Sequence, residues 1–256
     1  MTKLRWFERE CGGWTGIRRV VMAMAVGASC LSWATTTAWA QSTIFNIPTT
    51  DTVAVGKGYF EFDYFPELPA PDGGRFVTYT PRIVFGVVNN VEAGVNISNF
   101  HVNDVGTFSL FQPNVKYKFY ADDDKGLAAA AGIIGYIPIN HRDDSDSFGQ
   151  IYANVSKKIK SGARFTGGVW GSISFDDDNT GGILAGYEQP IAGSKVSFVA
   201  DWFSGKNFWG YFTPGISITL PHNGLLNIGY SIGNDSFDDP SNDNRALFVY
   251  YGITFP

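Results

Sequence analysis

The most constraining feature of this chain is an alternation of apolar and polar side chains that recurs along its length. In residues 108–120, for example, Val115 and Tyr117 alternate with Lys116 and Lys118. Successive side chains of a β-strand point to opposite faces, so this pattern predicts strands with one apolar and one polar face. It predicts twelve strands, at residues 57–66, 75–88, 91–100, 107–120, 126–139, 147–160, 163–175, 181–191, 195–204, 208–220, 224–233 and 245–255.

The connections between these strands alternate between two kinds. Tight connections fall at residues 89–90, 121–125, 160–162, 192–194 and 221–224. Longer or more acidic ones fall at residues 67–74, 101–106, 140–146, 176–180, 204–207 and 234–244. Transmembrane barrels have short periplasmic turns, longer external loops and an even number of strands. The sequence therefore predicts an all-β fold, a transmembrane antiparallel up-and-down β-barrel of about 12 strands over residues 56–256.

A secreted, soluble β-sandwich is the alternative fold, because its strands also alternate apolar and polar residues. The regular phase of short and long connections and the apolar outer faces of the segments favour the barrel. No stretch after residue 40 reaches the 18 consecutive apolar residues that would predict a transmembrane helix.

Residues 1–40 have the features of a secretory signal peptide. A basic start is followed by an apolar run at residues 20–28, and the small residues Ala38 and Ala40 precede Gln41. This pattern predicts cleavage near Ala40 and export. Both cysteines, Cys11 and Cys30, lie in the predicted signal, so the mature chain would form no disulfide.

Five of the 19 basic and two of the 24 acidic residues lie before residue 41. The remaining 14 basic and 22 acidic residues give a formal charge of −8, without basic clusters. We therefore expect no nucleic-acid partner. Residues 41–55 precede the first strand and begin with an uncharged run, so this N-terminal segment is expected either to plug the periplasmic mouth or to be disordered.

The sequence offers little support for catalysis. His101 and His141 fall in predicted external loops, and His222 falls in a tight turn. Asp143 and Ser145 follow His141 too closely along one loop to be expected in triad geometry. We predict no enzyme activity and no catalytic residue.

Acidic clusters at residues 143–146, 176–178 and 235–239 suggest divalent-cation binding, because hard cations prefer carboxylate oxygens. The clusters lack the spacing of a calcium loop, and solvated loop surface is the favoured interpretation. We therefore predict no metal site and no cofactor.

The inner face is the most informative part for function. Charged and amide residues on the predicted inner face are Glu61, Asp63, Arg82, Glu92, Lys116, Lys118, Gln150, Lys158, Arg164, Glu188 and Asp201. Such residues either form salt-bridged networks that fill the lumen or line a path that selects solutes. The basic group Lys116, Lys118, Lys158 and Arg164 is expected to form a positive ring at the periplasmic mouth.

Inner aromatic residues and glycines have opposite effects on the space inside the barrel. Tyr152, Trp170, Trp209 and Tyr211 are aromatic lumen candidates that could act as filler or stack on a ring-bearing solute. The inner glycines remove bulk, at Gly86, Gly94, Gly168, Gly186, Gly215 and Gly229. Barrels of eight strands are filled and those of sixteen to eighteen hold a channel, so twelve strands leave both outcomes open.

The chain ends with Tyr251, Ile253 and Phe255 on one face, followed by Pro256. With the signal and the twelve strands, this ending resembles the broad class of outer-membrane porin-like transporters, over residues 56–256. The resemblance implies the outer membrane as location, with the lipid bilayer, lipopolysaccharide, the barrel-assembly machinery and a small-molecule solute as partners. Pro256 departs from a strictly terminal aromatic residue.

Three functions follow from these expectations. The leading one is a passive, porin-like channel for small solutes without covalent chemistry. The second is a structural or surface-interaction barrel with a plugged lumen and acidic external loops. The third is a lipid-modifying outer-membrane enzyme.

Overall fold

A computed structural model describes residues 43–68, 76–102, 106–143, 145–173, 181–207, 209–238 and 244–256. The predicted signal at residues 1–40 and the acidic positions 144, 176–178 and 239 lie outside the described residues.

Twelve antiparallel strands form one closed barrel, in which each strand pairs with its neighbours in the chain. Their bounds are β1 Gly58–Pro66, β2 Phe76–Val88, β3 Val91–Val102, β4 Gly106–Asp122, β5 Leu127–Pro138, β6 Phe148–Lys158, β7 Arg164–Ile173, β8 Gly181–Pro190, β9 Val196–Phe203, β10 Tyr211–Leu220, β11 Gly224–Gly233 and β12 Arg245–Phe255. A four-residue helix, α1 Asp235–Asp238, lies between β11 and β12. The all-β, up-and-down barrel predicted from the sequence is confirmed.

Closure comes from pairing between the first and last strands. Gly58 lies opposite Phe255, and the register continues to Tyr64 opposite Val249. The Phe255 ring also meets the Phe85 ring of β2 edge-on, with ring centroids 6.1 Å apart. The near-terminal aromatic residue therefore packs at the seam where the barrel closes.

The tight turns collect at one end of the barrel, which we call the short-turn end; the other is the long-loop end. The turn after β10 shows why its sequence is needed. His222 and Asn223 both adopt positive φ, of 57° and 63°, and the Gly224 N–H donates to the Pro221 carbonyl at 3.2 Å. Two consecutive positive φ angles characterise the type I′ turn that suits a twisted hairpin, and asparagine tolerates them.

The start of β10 differs from the predicted strand at residues 208–220. Within residues 207–210, the Asn207 side chain accepts the Trp209 N–H at 3.0 Å, and the Gly210 N–H donates to the Asn207 carbonyl at 2.8 Å. These local bonds satisfy the backbone outside the sheet. The strand therefore begins at Tyr211, and Trp209 lies in the connection at the long-loop end.

The two faces of the barrel wall have inverted polarity compared with a water-soluble fold. Outward side chains are apolar and exposed, as at Val115, Ile151 and Val169, which are 45%, 46% and 57% exposed. Inward side chains such as Lys116 and Gln150 are polar and buried. A soluble sandwich buries its apolar face, so this arrangement argues against the sandwich alternative.

Candidate functional site

The candidate site is the lumen, which contains part of the chain itself. Residues 43–55, here called the plug segment, lie inside the barrel. Ile44 and Ile47 are 0% exposed, and between them the chain turns sharply, with the Ile44 N–H donating to the Ile47 carbonyl at 3.0 Å. Thr43 and Pro48 form an isolated bridge across this turn. The turn at residues 44–47 is the tip of the plug segment.

The tip is held by one carboxylate of β9. Oδ2 of Asp201 accepts the backbone N–H groups of Phe45, Asn46 and Ile47 at 2.9, 2.6 and 2.9 Å. The Asn46 amide adds bonds to Asp201 Oδ1 at 3.3 Å and to the Thr213 hydroxyl at 3.0 Å. Successive N–H groups that converge on one anion form a nest, which binds negative charge well. Asp201 is 1% exposed, so these donors satisfy a carboxylate that would otherwise be buried at high cost.

Polar contacts continue along the plug segment toward the short-turn end. Thr50 and Ser156 share a hydroxyl–hydroxyl bond, and the Val53 N–H donates to Glu92 Oε2 at 2.9 Å. At the mouth the Gly56 N–H donates to the Gly86 carbonyl at 3.2 Å. A Cβ at Gly86 would collide with the backbone of residues 53 and 54, so glycine permits this close approach.

Ion pairs complete the filling of this half of the lumen. Lys116 lies 3.0 Å from Glu92, and Arg82 lies 3.3 Å from Glu61. Arg164 contacts Asp51 of the plug segment and also pairs with Glu188 on the adjacent strand, with Nη2 to Oε1 at 2.8 Å. A bidentate guanidinium–carboxylate pair is a directional contact, which orients Arg164 toward the plug segment.

Asp51 is the titratable group of the plug segment that this network affects. Burial acts to raise the pKa of the Asp51 carboxyl, but the adjacent Arg164 guanidinium opposes it, with smaller contributions from Lys118 and Lys116. The net effect is a pKa below the ordinary value of 3.8. Asp51 therefore carries its negative charge at neutral pH.

The four residues of the predicted basic group differ in burial and in pairing. Lys116 and Arg164 are buried or half-buried and paired with carboxylates. Lys118 is half-buried, and Lys158 is exposed at the end of β6. Two of the four positive charges are thus offset by Glu92, Asp51 and Glu188 in this plugged state.

The remaining polar candidates lie on the inner face, along β1, β2 and β6. Glu61 is 1% exposed and accepts the Tyr59 hydroxyl at 2.6 Å in addition to Arg82. Asp63 is half-buried, and within the described part of the chain its Oδ1 has no hydrogen-bond partner. Gln150, on β6, is 4% exposed and lies 3.5 Å from the Tyr136 hydroxyl.

The aromatic candidates lie in the half of the lumen toward the long-loop end. Trp170 packs against Phe203 and Trp209, with centroids 4.9 and 5.2 Å apart, and the Trp209 indole donates to the Tyr136 hydroxyl at 3.2 Å. Tyr152 and Tyr211 are 8% and 6% exposed. The Tyr211 ring meets Phe65 edge-on, with centroids 5.4 Å apart.

Sequence reasoning missed the contacts that seat the plug segment. Thr213, Asn154 and Asn227 are buried polar residues that bond to it, and none was a candidate. Their inward parity could have indicated them. Their partners, more than 100 residues away along the chain, could not be inferred from periodicity.

The sequence comparisons with known proteins found no match. No protein-family model matches the chain, and no curated protein matches it in sequence. Among the described residues, no cluster of three or more histidine, cysteine or acidic side chains could hold a metal ion. The described residues also contain no helix with the length and hydropathy of a membrane span.

Proposed function

We propose that this protein is an outer-membrane channel for small solutes, closed by its own plug segment in the state described here. A closed twelve-strand barrel with an exposed apolar exterior and a polar interior supports this assignment. The proposal includes export by the signal peptide, insertion by the barrel-assembly machinery and contact with bilayer lipid and lipopolysaccharide. It involves transport without covalent chemistry.

The manner in which the plug segment is held carries the proposal. The segment adds no strand to the sheet, and among the described residues its backbone pairing is limited to isolated bridges. Ile44, Phe45 and Ile47 also pack into the buried apolar cluster of the lumen. The polar contacts of the segment with the wall are side-chain hydrogen bonds and ion pairs, such as those of Asp201 and Arg164. Water can replace these polar contacts, and the segment can leave the lumen without breaking the barrel ladder.

The experiment compares the conductance of two purified proteins in planar bilayers. In the variant, residues 43–53 are replaced by a Gly-Ser sequence of equal length, which removes the contacts but keeps the tether. We expect brief, rare openings from the wild type and a larger, steady conductance from the variant. Heat-modifiable migration on gels checks that both barrels are folded.

A closed structural barrel is the second candidate, and the filling of the lumen favours it. Glu92, Lys116 and Asn154 are at most 2% exposed on the inner face, whereas a water-filled channel would expose them. A folded Gly-Ser variant without conductance would refute the channel and support this candidate.

A further inference from the structure

One side chain of the plug segment occupies a built recess in the barrel wall. The Phe45 ring lies against Gly215 and Gly229, which face each other on β10 and β11. A Cβ on either glycine would lie 2.6–2.7 Å from the Phe45 ring, so no larger residue leaves room for the ring. Phe248 and Tyr250 of β12 flank it, with ring centroids 5.5 and 6.2 Å from that of Phe45.

These contacts define an aromatic recess: a glycine floor on β10 and β11, and two ring walls on β12. Phe45 is 5% exposed in it. The Tyr250 ring meets Phe45 at 77°, an edge-to-face geometry in which the positive edge of one ring meets the negative face of the other. The recess therefore suits a flat ring with a π-face better than a saturated one.

A row of inward rings connects the recess with the long-loop end. Phe76 and Phe65 are stacked at 5.9 Å, and Phe65 meets Phe248 edge-on at 5.3 Å. Phe65 and Phe76 are only half-buried, at the ends of β1 and β2 that flank the long-loop end. A ring-bearing solute entering from that end would find successive aromatic surfaces down to Phe248.

A second observation indicates a ligand at this place. Asn227 precedes Gly229 by two residues on the inner face of β11 and is 0% exposed. Its amide nitrogen donates to the Tyr250 hydroxyl at 2.5 Å and to the Ile44 carbonyl at 3.2 Å, but its Oδ1 has no hydrogen-bond partner among the residues that the structure describes. A buried acceptor without a donor is costly, and a donor group on a bound ring would satisfy it.

We infer that the aromatic recess is a binding site for a neutral aromatic ring that carries a hydrogen-bond donor, and that Phe45 occupies it as an internal substitute. Such a solute competes with Phe45 and favours release of the plug segment. The binding site stands independently of transport, whereas its effect on opening rests on the proposed channel function.

The test removes the Phe45 ring from the recess by mutation and offers a small aromatic compound in its place. Binding of 4-fluorobenzyl alcohol to detergent-solubilised Phe45→Ala protein is followed by fluorine NMR, with cyclohexylmethanol and the methyl ether of the same fluorinated alcohol as competitors. We expect saturable binding to the variant, about tenfold or more weaker binding to the wild type because Phe45 competes, and poor competition by both other compounds.

Two control variants separate the recess from partitioning into detergent. In the Phe45→Ala background, Gly229→Ala places a methyl group in the vacated space and Phe248→Leu removes a ring wall. Each substitution is expected to weaken binding at least about tenfold. The Cβ of an alanine at position 229 would lie 2.7 Å from Thr213 Cγ2. If Gly229→Ala disturbs Thr213, the Phe248→Leu variant alone tests the recess.

The outcomes distinguish this inference from the proposed function. Binding that is non-saturable, or unchanged in both controls, overturns the recess as a site. Equal competition by cyclohexylmethanol overturns the aromatic class, and equal competition by the ether overturns the role of the donor. If the Gly-Ser variant fails to conduct, the channel is refuted, but ring binding to Phe45→Ala still decides the present inference.

Discussion

Removal of the Asp201 carboxylate should release the plug segment. In Asp201→Ala the three backbone N–H groups of residues 45–47 lose their acceptor in the lumen. An unpaired buried donor costs about 1–3 kcal/mol, so the seated state should lose about 3–9 kcal/mol. Released residues can hydrogen-bond to water, and the strand ladder is unaffected. The penalty therefore falls on plug seating and leaves barrel folding intact.

Thiol accessibility measures this release without relying on transport. Thr49 is 0% exposed, and the only cysteines in the sequence are Cys11 and Cys30, in the predicted signal. In a Thr49→Cys protein, labelling by a water-soluble maleimide should be slow. Asp201→Ala should accelerate it at least about 100-fold, the factor that corresponds to about 3 kcal/mol. Asp201→Asn retains an acceptor oxygen and should give an intermediate rate.

The matched control is Ser98→Ala, which removes a buried hydroxyl on β3 that accepts from the Thr80 hydroxyl and, among the described residues, forms no bond to the plug segment. Its labelling rate should equal that of the Thr49→Cys parent. If Asp201→Ala labels within about threefold of the parent while its barrel remains heat-modifiable, the carboxylate does not hold the segment and the reasoning fails.

Three further predictions follow from specific contacts. Phe255→Asp should abolish heat-modifiable folding, because Phe255 pairs with Gly58 at the closing seam; a normally folded variant would show that the terminal ring is dispensable. The pKa of Asp51 is lowered in the folded protein, so its pair with Arg164 stabilises the plugged state fully above about pH 4, and this stabilisation is lost as the pH falls through the lowered pKa. Labelling of Thr49→Cys with a dipyridyl disulfide should therefore accelerate as the pH falls through that pKa. Asp51→Asn should remove this pH dependence. In the Gly-Ser channel, replacing Lys116, Lys118 and Arg164 by glutamine should leave the negative charges of Glu92 and Glu188 without their cationic partners. The reversal potential should then shift toward cation preference at low salt. An unchanged reversal potential would show that the three basic residues do not set selectivity.

The fold could be predicted because a barrel wall has a strict period of two. Outward-facing and lumen-facing positions alternate along the strands, so the pattern marks both the strands and their faces. Predicted β11 and β12 match the structure residue for residue, at Gly224–Gly233 and Arg245–Phe255. The start of β10 was mispredicted because the aromatic residues at 208–211 continue the alternation, whereas Asn207 forms a turn with its own neighbours.

The inward charges could also be predicted, but not their partners. Periodicity predicts that Arg164 and Asp201 lie on the inner face; Asp201 is 1% exposed and Arg164 is half-buried, and both contact the plug segment. It cannot reveal that Asp201 accepts backbone N–H groups more than 150 residues earlier, because no local pattern encodes that distance. The expected basic ring neglected carboxylates such as Asp51, which enter the lumen from outside the strands.

The inner glycines shape the wall around the plug segment. From the sequence they only remove bulk from the lumen, but four of the six lie where the plug segment touches the wall. Gly86 admits the backbone at the mouth, Gly186 faces Ile44 and Ile47, and Gly215 and Gly229 receive Phe45. Glycine is unfavourable within a strand, since it adds flexibility and packs no side chain. Its use at these four positions is explained by the plug segment, which contacts the wall at each of them. The inner surface of the wall is therefore complementary in shape to the plug segment. A side chain of moderate size at Gly186 should therefore unseat the tip as Asp201→Ala does, and labelling of Thr49→Cys in a Gly186→Val protein would reveal whether shape or charge dominates the closed state.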